Sequence, residues 1–179
     1  MSPRAIFLVG FMGSGKNTVG QELAHRLSWS FSDLDALIET LEGLSIPDLF
    51  RTKGESYFRA AERAALRQLI DSLTLDTVIA LGGGAFAQDL NRQMLRAFPT
   101  IFLEAPISEL WQRCLQHEAA DGAPRPLRGD PTQFERLYQE RLPFYRQAAH
   151  TIATSGKTPT QICQEIERAL ELHSPEANY

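Results

Sequence analysis

The chain has 179 residues, 43% of them hydrophobic and 22% charged, which suits one compact domain and excludes a disordered or fibrous chain. Eighteen Lys and Arg against 22 Asp and Glu give a net charge of -4, so no overall positive field exists to attract a nucleic-acid backbone. No run reaches the roughly 18 apolar residues of a membrane span, and no signal-peptide pattern opens the sequence. The two cysteines, Cys114 and Cys163, lie in helical-looking stretches without metal or disulfide spacing. We therefore expect a cytoplasmic protein that binds neither nucleic acid nor membrane.

In chain order, Ala5-Ile-Phe-Leu-Val9 is a continuous apolar run that closes at Gly10, the pattern of a strand buried on both faces. From Lys16 to Leu27 the apolar positions Val19, Leu23, Ala24 and Leu27 recur at helical spacing. Further strands are expected at Thr77 to Leu81, Thr100 to Leu103 and His150 to Ala153, with a weaker one at Trp29 to Phe31. Helical stretches separate most of them, which predicts an α/β protein with a mostly parallel sheet covered on both faces.

Two regions interrupt this alternation. The stretch 33–71 is too long for one crossover helix and is broken at Gly43 and Gly54. It reads as an inserted helical region of two or three helices, the last starting near Gly54 and turning Phe58, Ala61, Ala65 and Leu69 inward. The stretch 118–131 holds Gly122, Pro124, Pro126, Gly129 and Pro131 without periodicity, as a mobile surface flap would. Residues 173–179 read as a disordered tail.

The first glycine-rich turn, Gly10-Phe-Met-Gly13-Ser14-Gly15-Lys16-Asn17-Thr18, fits the phosphate-binding pattern G-x-x-x-x-G-K-[ST] except at its last position, where Asn17 replaces a hydroxyl. Small residues let backbone N–H groups turn around phosphate oxygens, the following helix adds its N-terminal partial charge, and Lys16 reaches the outer phosphates. A hydroxyl at position 17 would ligate Mg2+. The Asn17 carbonyl oxygen is also a hard ligand but sits one bond farther out. Either Mg2+ binds with shifted geometry, or Thr18 or water substitutes, or metal-nucleotide binding is weakened.

Asp33 and Asp35 follow the second strand, at the sheet edge where ligands bind in open α/β folds. One suits a metal through water and the other a hydroxyl proton; alternatively one simply caps a helix. Gly82, Gly83 and Gly84 occupy the equivalent edge after the Thr77 strand, where a backbone without side chains permits close approach. Arg59 and Glu62 are spaced for a helix-surface ion pair, Arg125 lies in the flap between two prolines, and Arg141 precedes Leu142-Pro143. Beside a phosphate loop such arginines gain a second reading, because phosphoryl transfer needs cations on the transferring group and on an anionic acceptor.

Taken together, GFMGSGK at 10–16, DLD at 33–35, SIPDLF at 45–50, GESYFRAAE at 54–62, GGGA at 82–85, RPL at 125–127 and RLPFYRQAA at 141–149 resemble the shikimate kinase family, from about Arg4 to Leu170. The resemblance implies a single three-layer α/β/α domain of the nucleoside-monophosphate-kinase-like P-loop class with a five-stranded parallel sheet, a shikimate-binding region at 33–62 and a lid at 114–130. It implies phosphorylation of the 3-hydroxyl of shikimate with ATP and Mg2+, by a monomer, on the route to chorismate and aromatic amino acids. Carried onto this chain, Gly13, Ser14, Gly15, Lys16, Asn17 and Thr18 would hold the nucleotide phosphates. Asn17 and Asp33 would meet the metal, and Asp35 would take the hydroxyl proton. Arg59, Arg141 and the Gly82–Gly84 backbone would hold shikimate, and Arg125 would neutralise the transferring phosphoryl. Arg113 would pack against adenine, with the loop 154–158 closing over the base. Two other readings share these residues: a kinase-like binding protein impaired by Asn17, and a P-loop kinase for another small acceptor.

Overall fold

The computed structural model describes residues 4–121 and 130–172. Strands β1 (Ala5–Val9), β2 (Ser30–Asp33), β3 (Thr77–Ala80), β4 (Thr100–Glu104) and β5 (His150–Ala153) form one parallel sheet in the order β2-β3-β1-β4-β5. Helices α1 (Lys16–Leu27), α2 (Leu34–Glu42), α3 (Ile46–Asp71), α4 (Asp89–Leu95), α5 (Ile107–Asp121), α6 (Pro131–Tyr145) and α7 (Pro159–Ala169) complete the fold.

The unbroken hydrophobicity of β1 follows from burial on both sides. Ala5, Phe7 and Val9 join Leu34, Ile38, Leu66, Phe102 and Tyr145 in one core. Their alternates Ile6 and Leu8 join Val19, Leu23, Ile162 and Ile166 in the other. Helices α1 and α7 thus cover one face of the sheet and α2 to α6 the other, giving the expected three layers. Burying each large aliphatic or aromatic side chain of this kind contributes about 1.5–3 kcal/mol, so both faces are needed to hold the sheet.

Three segments bear on the detail of the sequence reading. The second strand starts at Ser30 rather than Trp29, because Ser28 closes α1 in the left-handed region and the Trp29 amide donates to Ala24 of that helix. The strand then runs through Asp33, which lines up with Ala80 of β3, and α2 follows with no intervening loop. In α3 the expected break is present: Gly54, at φ 81° and ψ 171°, is non-helical and divides α3 into two helical stretches that meet at a kink. At the expected lid, α5 continues to Asp121; the rest of that segment with Arg125, like the tail at 173–179, lies outside the described residues.

Candidate active site

The chain leaves β1 toward β2 on one side of the sheet, whereas the crossover from β3 passes to β4 on the other side of β1. The reversal opens a crevice between the C-terminal ends of β1 and β3, the place where open α/β sheets bind ligands. The glycine turn after β1 and the Gly82–Gly84 turn after β3 form its two lips.

On the first lip, Gly13 and Gly15 hold φ 79° and 88°, values that L side chains rarely adopt. Gly15 is the N-cap of α1 and makes no side-chain cap, so the first N–H groups of that helix remain for a ligand. Ser14 is buried, while Asn17 and Thr18 at the start of α1 are exposed. The Lys16 ammonium folds into the loop, donating to the carbonyls of Gly10 at 2.8 Å and Phe11 at 3.1 Å. Burial lowers its pKa to about 8, partly opposed by the nearby charges of Asp35 and Asp33 and assisted by that of Arg141.

The Asn17 side chain donates from Nδ2 to Asp33 Oδ2 at 2.6 Å. A carboxylate can only accept, so the amide turns its N–H toward Asp33 and its carbonyl oxygen takes the other branch. The second Asp33 oxygen, Oδ1, caps α2 by accepting from the backbone N–H of Asp35 at 2.9 Å and of Ala36 at 3.4 Å. Asp33 therefore caps α2 as one of its readings has it, also accepts from the phosphate-loop helix, and in doing so fixes the turn that carries Asp35.

On the second lip each glycine faces one of the acceptor-side residues. A Cβ at Gly82 would overlap the Asp35 carboxylate, one at Gly84 would come 2.6 Å from Arg59 Nη2, and one at Gly83 would lie 3.3 Å from Arg141 Nη1. Residues 35, 59, 82–84 and 141, far apart in sequence, are brought together here. Arg59 donates from Nη1 to both oxygens of Glu62 at 2.9 and 3.2 Å. The surface ion pair that helix spacing suggests is instead an internal one, since Glu62 is only 1% exposed; burial raises its pKa against the opposing charge of Arg59. The Arg59 Nε is buried without a hydrogen-bond partner and makes a long ion pair with Glu55 Oε1 at 3.6 Å. Arg141 lies over the Phe11 ring at 5.8 Å, joining the two lips.

Arg113 of α5 donates to the Gly13 carbonyl at 3.3 Å and to Glu109 at 3.1 Å, and the Ser155 hydroxyl donates to the same Glu109. The two segments expected near adenine are thus joined behind the phosphate loop. Residues to which the sequence gives no role also reach the glycine lip. The Tyr145 hydroxyl donates to the Gly83 carbonyl, and Asn91 and Arg92 of α4 donate to the carbonyls of Ala85 at 3.0 Å and Phe86 at 2.8 Å. Only Tyr145 carries a sequence signal, its spacing of one helical turn from Arg141.

The family model described as shikimate kinase matches residues 12–171. A shikimate kinase of Persephonella marina is 42% identical over 164 residues, covering 91% of this chain and 96% of the relative. Among solved structures, the shikimate kinase of Aquifex aeolicus VF5 superposes with a TM-score of 0.80 at 34% identity, covering 93% of this chain and 96% of that one. The shikimate kinase of Acinetobacter baumannii, solved in complex with shikimate, gives 0.82 at 32% identity over 94% of each chain. With a phosphate loop and an arginine-lined glycine lip facing each other across one crevice, and with similarity of this extent, the chain belongs to the shikimate kinase family.

Proposed function

We propose that this protein transfers the γ-phosphoryl group of ATP to the 3-hydroxyl of shikimate. The observation that carries the assignment is the packing of Gly82, Gly83 and Gly84 against Asp35, Arg141 and Arg59. It presents one carboxylate and two guanidinium groups to a space too narrow for side chains, suited to a compact polyol that carries a carboxylate. Arg59 and Arg141 bind the acceptor carboxylate, Arg59 through donors that Glu62 leaves unused. Asp35, held by the capped turn of α2, orients the acceptor hydroxyl and takes its proton. Lys16 exchanges its loop carbonyls for the outer phosphates and neutralises their charge, while the N–H groups of Gly13, Ser14, Gly15 and the first turn of α1 through Thr18 cradle them. Positioning and charge stabilisation of this kind make up most of catalysis in phosphoryl transfer.

The donor set fits Mg2+. Asn17 and Asp33 would hold the ion: with the Asn17 N–H engaged by Asp33, the amide would offer a neutral hard oxygen, with water and phosphate as the further ligands. When bound, the ion offsets charge on the β- and γ-phosphates. Arg125 is assigned to the transferring phosphoryl, and Arg113 to the adenine side, on the resemblance. Both substrates are small molecules, and a monomer in the cytoplasm suffices for the reaction. No helix among the described residues is long and apolar enough to cross a membrane.

The test is ADP release from Mg-ATP with and without shikimate, on the protein and on Asn17→Ser. Shikimate-dependent release in both is expected. Release in the Ser variant alone would leave an intact acceptor site on a binding protein with a disabled metal site, and release with gluconate or a nucleoside monophosphate but not with shikimate would overturn the acceptor.

A further inference from the structure

Tyr145, the last residue of α6, is fully buried. Its ring packs on Phe102 of β4 with centroids 5.3 Å apart, the ordinary work of a core aromatic. The hydroxyl is a separate matter, because a buried O–H must find a partner and any nearby carbonyl would satisfy it. It donates to Gly83, the middle residue of the lip whose neighbours Gly82 and Gly84 face Asp35 and Arg59. Arg141, four residues earlier on the helix and so on the same face, is near enough for its charge to act on that hydroxyl. Arg141 Nη1 in turn lies against Gly83.

The Arg141 guanidinium and the Tyr145 hydroxyl, both from α6, therefore converge on the Gly83 backbone. Asn91 and Arg92 hold the next carbonyls, at Ala85 and Phe86, from α4, but neither comes from an element that also carries an acceptor-binding side chain. Tyr145 does. Burial pushes its pKa up to about 12, so the hydroxyl remains a donor throughout the neutral and mildly alkaline range.

We propose that Tyr145 is a positioning residue for the acceptor site, its hydroxyl setting the Arg141 guanidinium and the Gly83 backbone in fixed register so that both meet the substrate carboxylate together. The proposal rests on the reading of Arg141 as a carboxylate-binding residue. The ring of Tyr145 carries the packing and the oxygen carries the register, which makes Tyr145→Phe the informative change.

The experiment is steady-state kinetics and thermal unfolding of the full chain, of Tyr145→Phe, of Arg141→Ala and of the double variant. Loss of the hydrogen bond to the Gly83 carbonyl should raise the KM for shikimate about fivefold in Tyr145→Phe, with the KM for ATP within about twofold. In the Arg141→Ala background the same change should add nothing further. An unchanged shikimate KM in Tyr145→Phe, an equal rise in both KM values, or full additivity in the double variant would overturn the proposal. An Arg141→Ala variant with a normal shikimate KM would overturn the reading of Arg141 itself, so the two failures are distinguishable. Should Tyr145→Phe not fold, 3-fluorotyrosine at position 145 supplies the readout. Its 19F resonance should move on adding shikimate and stay in place on adding ADP, and a resonance indifferent to shikimate would overturn the proposal.

Discussion

Lys16 sits where its charge is both needed and costly. In the folded, nucleotide-free chain its pKa is about 8 against an ordinary 10.5, chiefly through burial. Between those values the unfolded chain holds a proton that the folded chain has released, so burial of this ammonium weighs against stability below about pH 8, and that penalty fades as pH rises toward 10.5. Phosphate oxygens reverse the balance by favouring the ammonium. Nucleotide binding should accordingly take up a proton above pH 8, and ADP affinity should weaken by up to about tenfold per pH unit there. Titration calorimetry at pH 9 in two buffers of different ionisation enthalpy checks this; equal heats in the two would show that Lys16 does not titrate in this range.

At the scale of elements, the glycine kink in α3 sets the direction of the helical stretch that carries Arg59, the arginine proposed to bind the acceptor. Gly54 holds φ 81° and ψ 171°, a region essentially reserved for glycine, and Arg59 follows it by little more than one turn. Gly54→Ala should lower stability by about 1–3 kcal/mol and raise the KM for shikimate more than that for ATP, as read by chemical denaturation and kinetics. A stability loss with an unchanged ratio of the two KM values would confine the kink to a structural role. This kink was legible in the sequence because glycine and the inward spacing of Phe58, Ala61, Ala65 and Leu69 both mark it. The start of β2 was not, since the left-handed Ser28 and the Trp29 amide bonded to Ala24 belong to a helix cap with no hydrophobic signature. The phosphate loop was legible because its chemistry is local. Burial of Glu62 was not, since helix spacing gives the pair but not the side of the helix that the sheet covers, and the hydrogen bond between Asn17 and Asp33 depends on the parallel pairing that brings their two elements together.

At the scale of the whole molecule, the Arg26–Glu167 pair joins two helices at the end of α1 away from Lys16. Arg26 of α1 and Glu167 of α7 pair at 2.7 Å with side chains 19% and 11% exposed, on the sheet face away from α2 to α6. Glu167→Ala strands a half-buried guanidinium and should cost about 2 kcal/mol, less than a fully buried pair because water reaches it. Denaturant midpoints should fall, while kcat and both KM values stay within about twofold of the parent. A selective rise in either KM would mean that the α1–α7 pairing sets the position of the phosphate-loop end of α1.

The central position of β1 has one more consequence. It is paired on both edges and covered on both faces, so its amide hydrogens exchange with solvent only when the entire domain opens. The phosphate loop is the direct continuation of that strand. The segment proposed to hold a highly charged ligand is thus anchored to backbone expected to be among the slowest to exchange, whereas β2 and β5, each with one edge unpaired among the described residues, should open first.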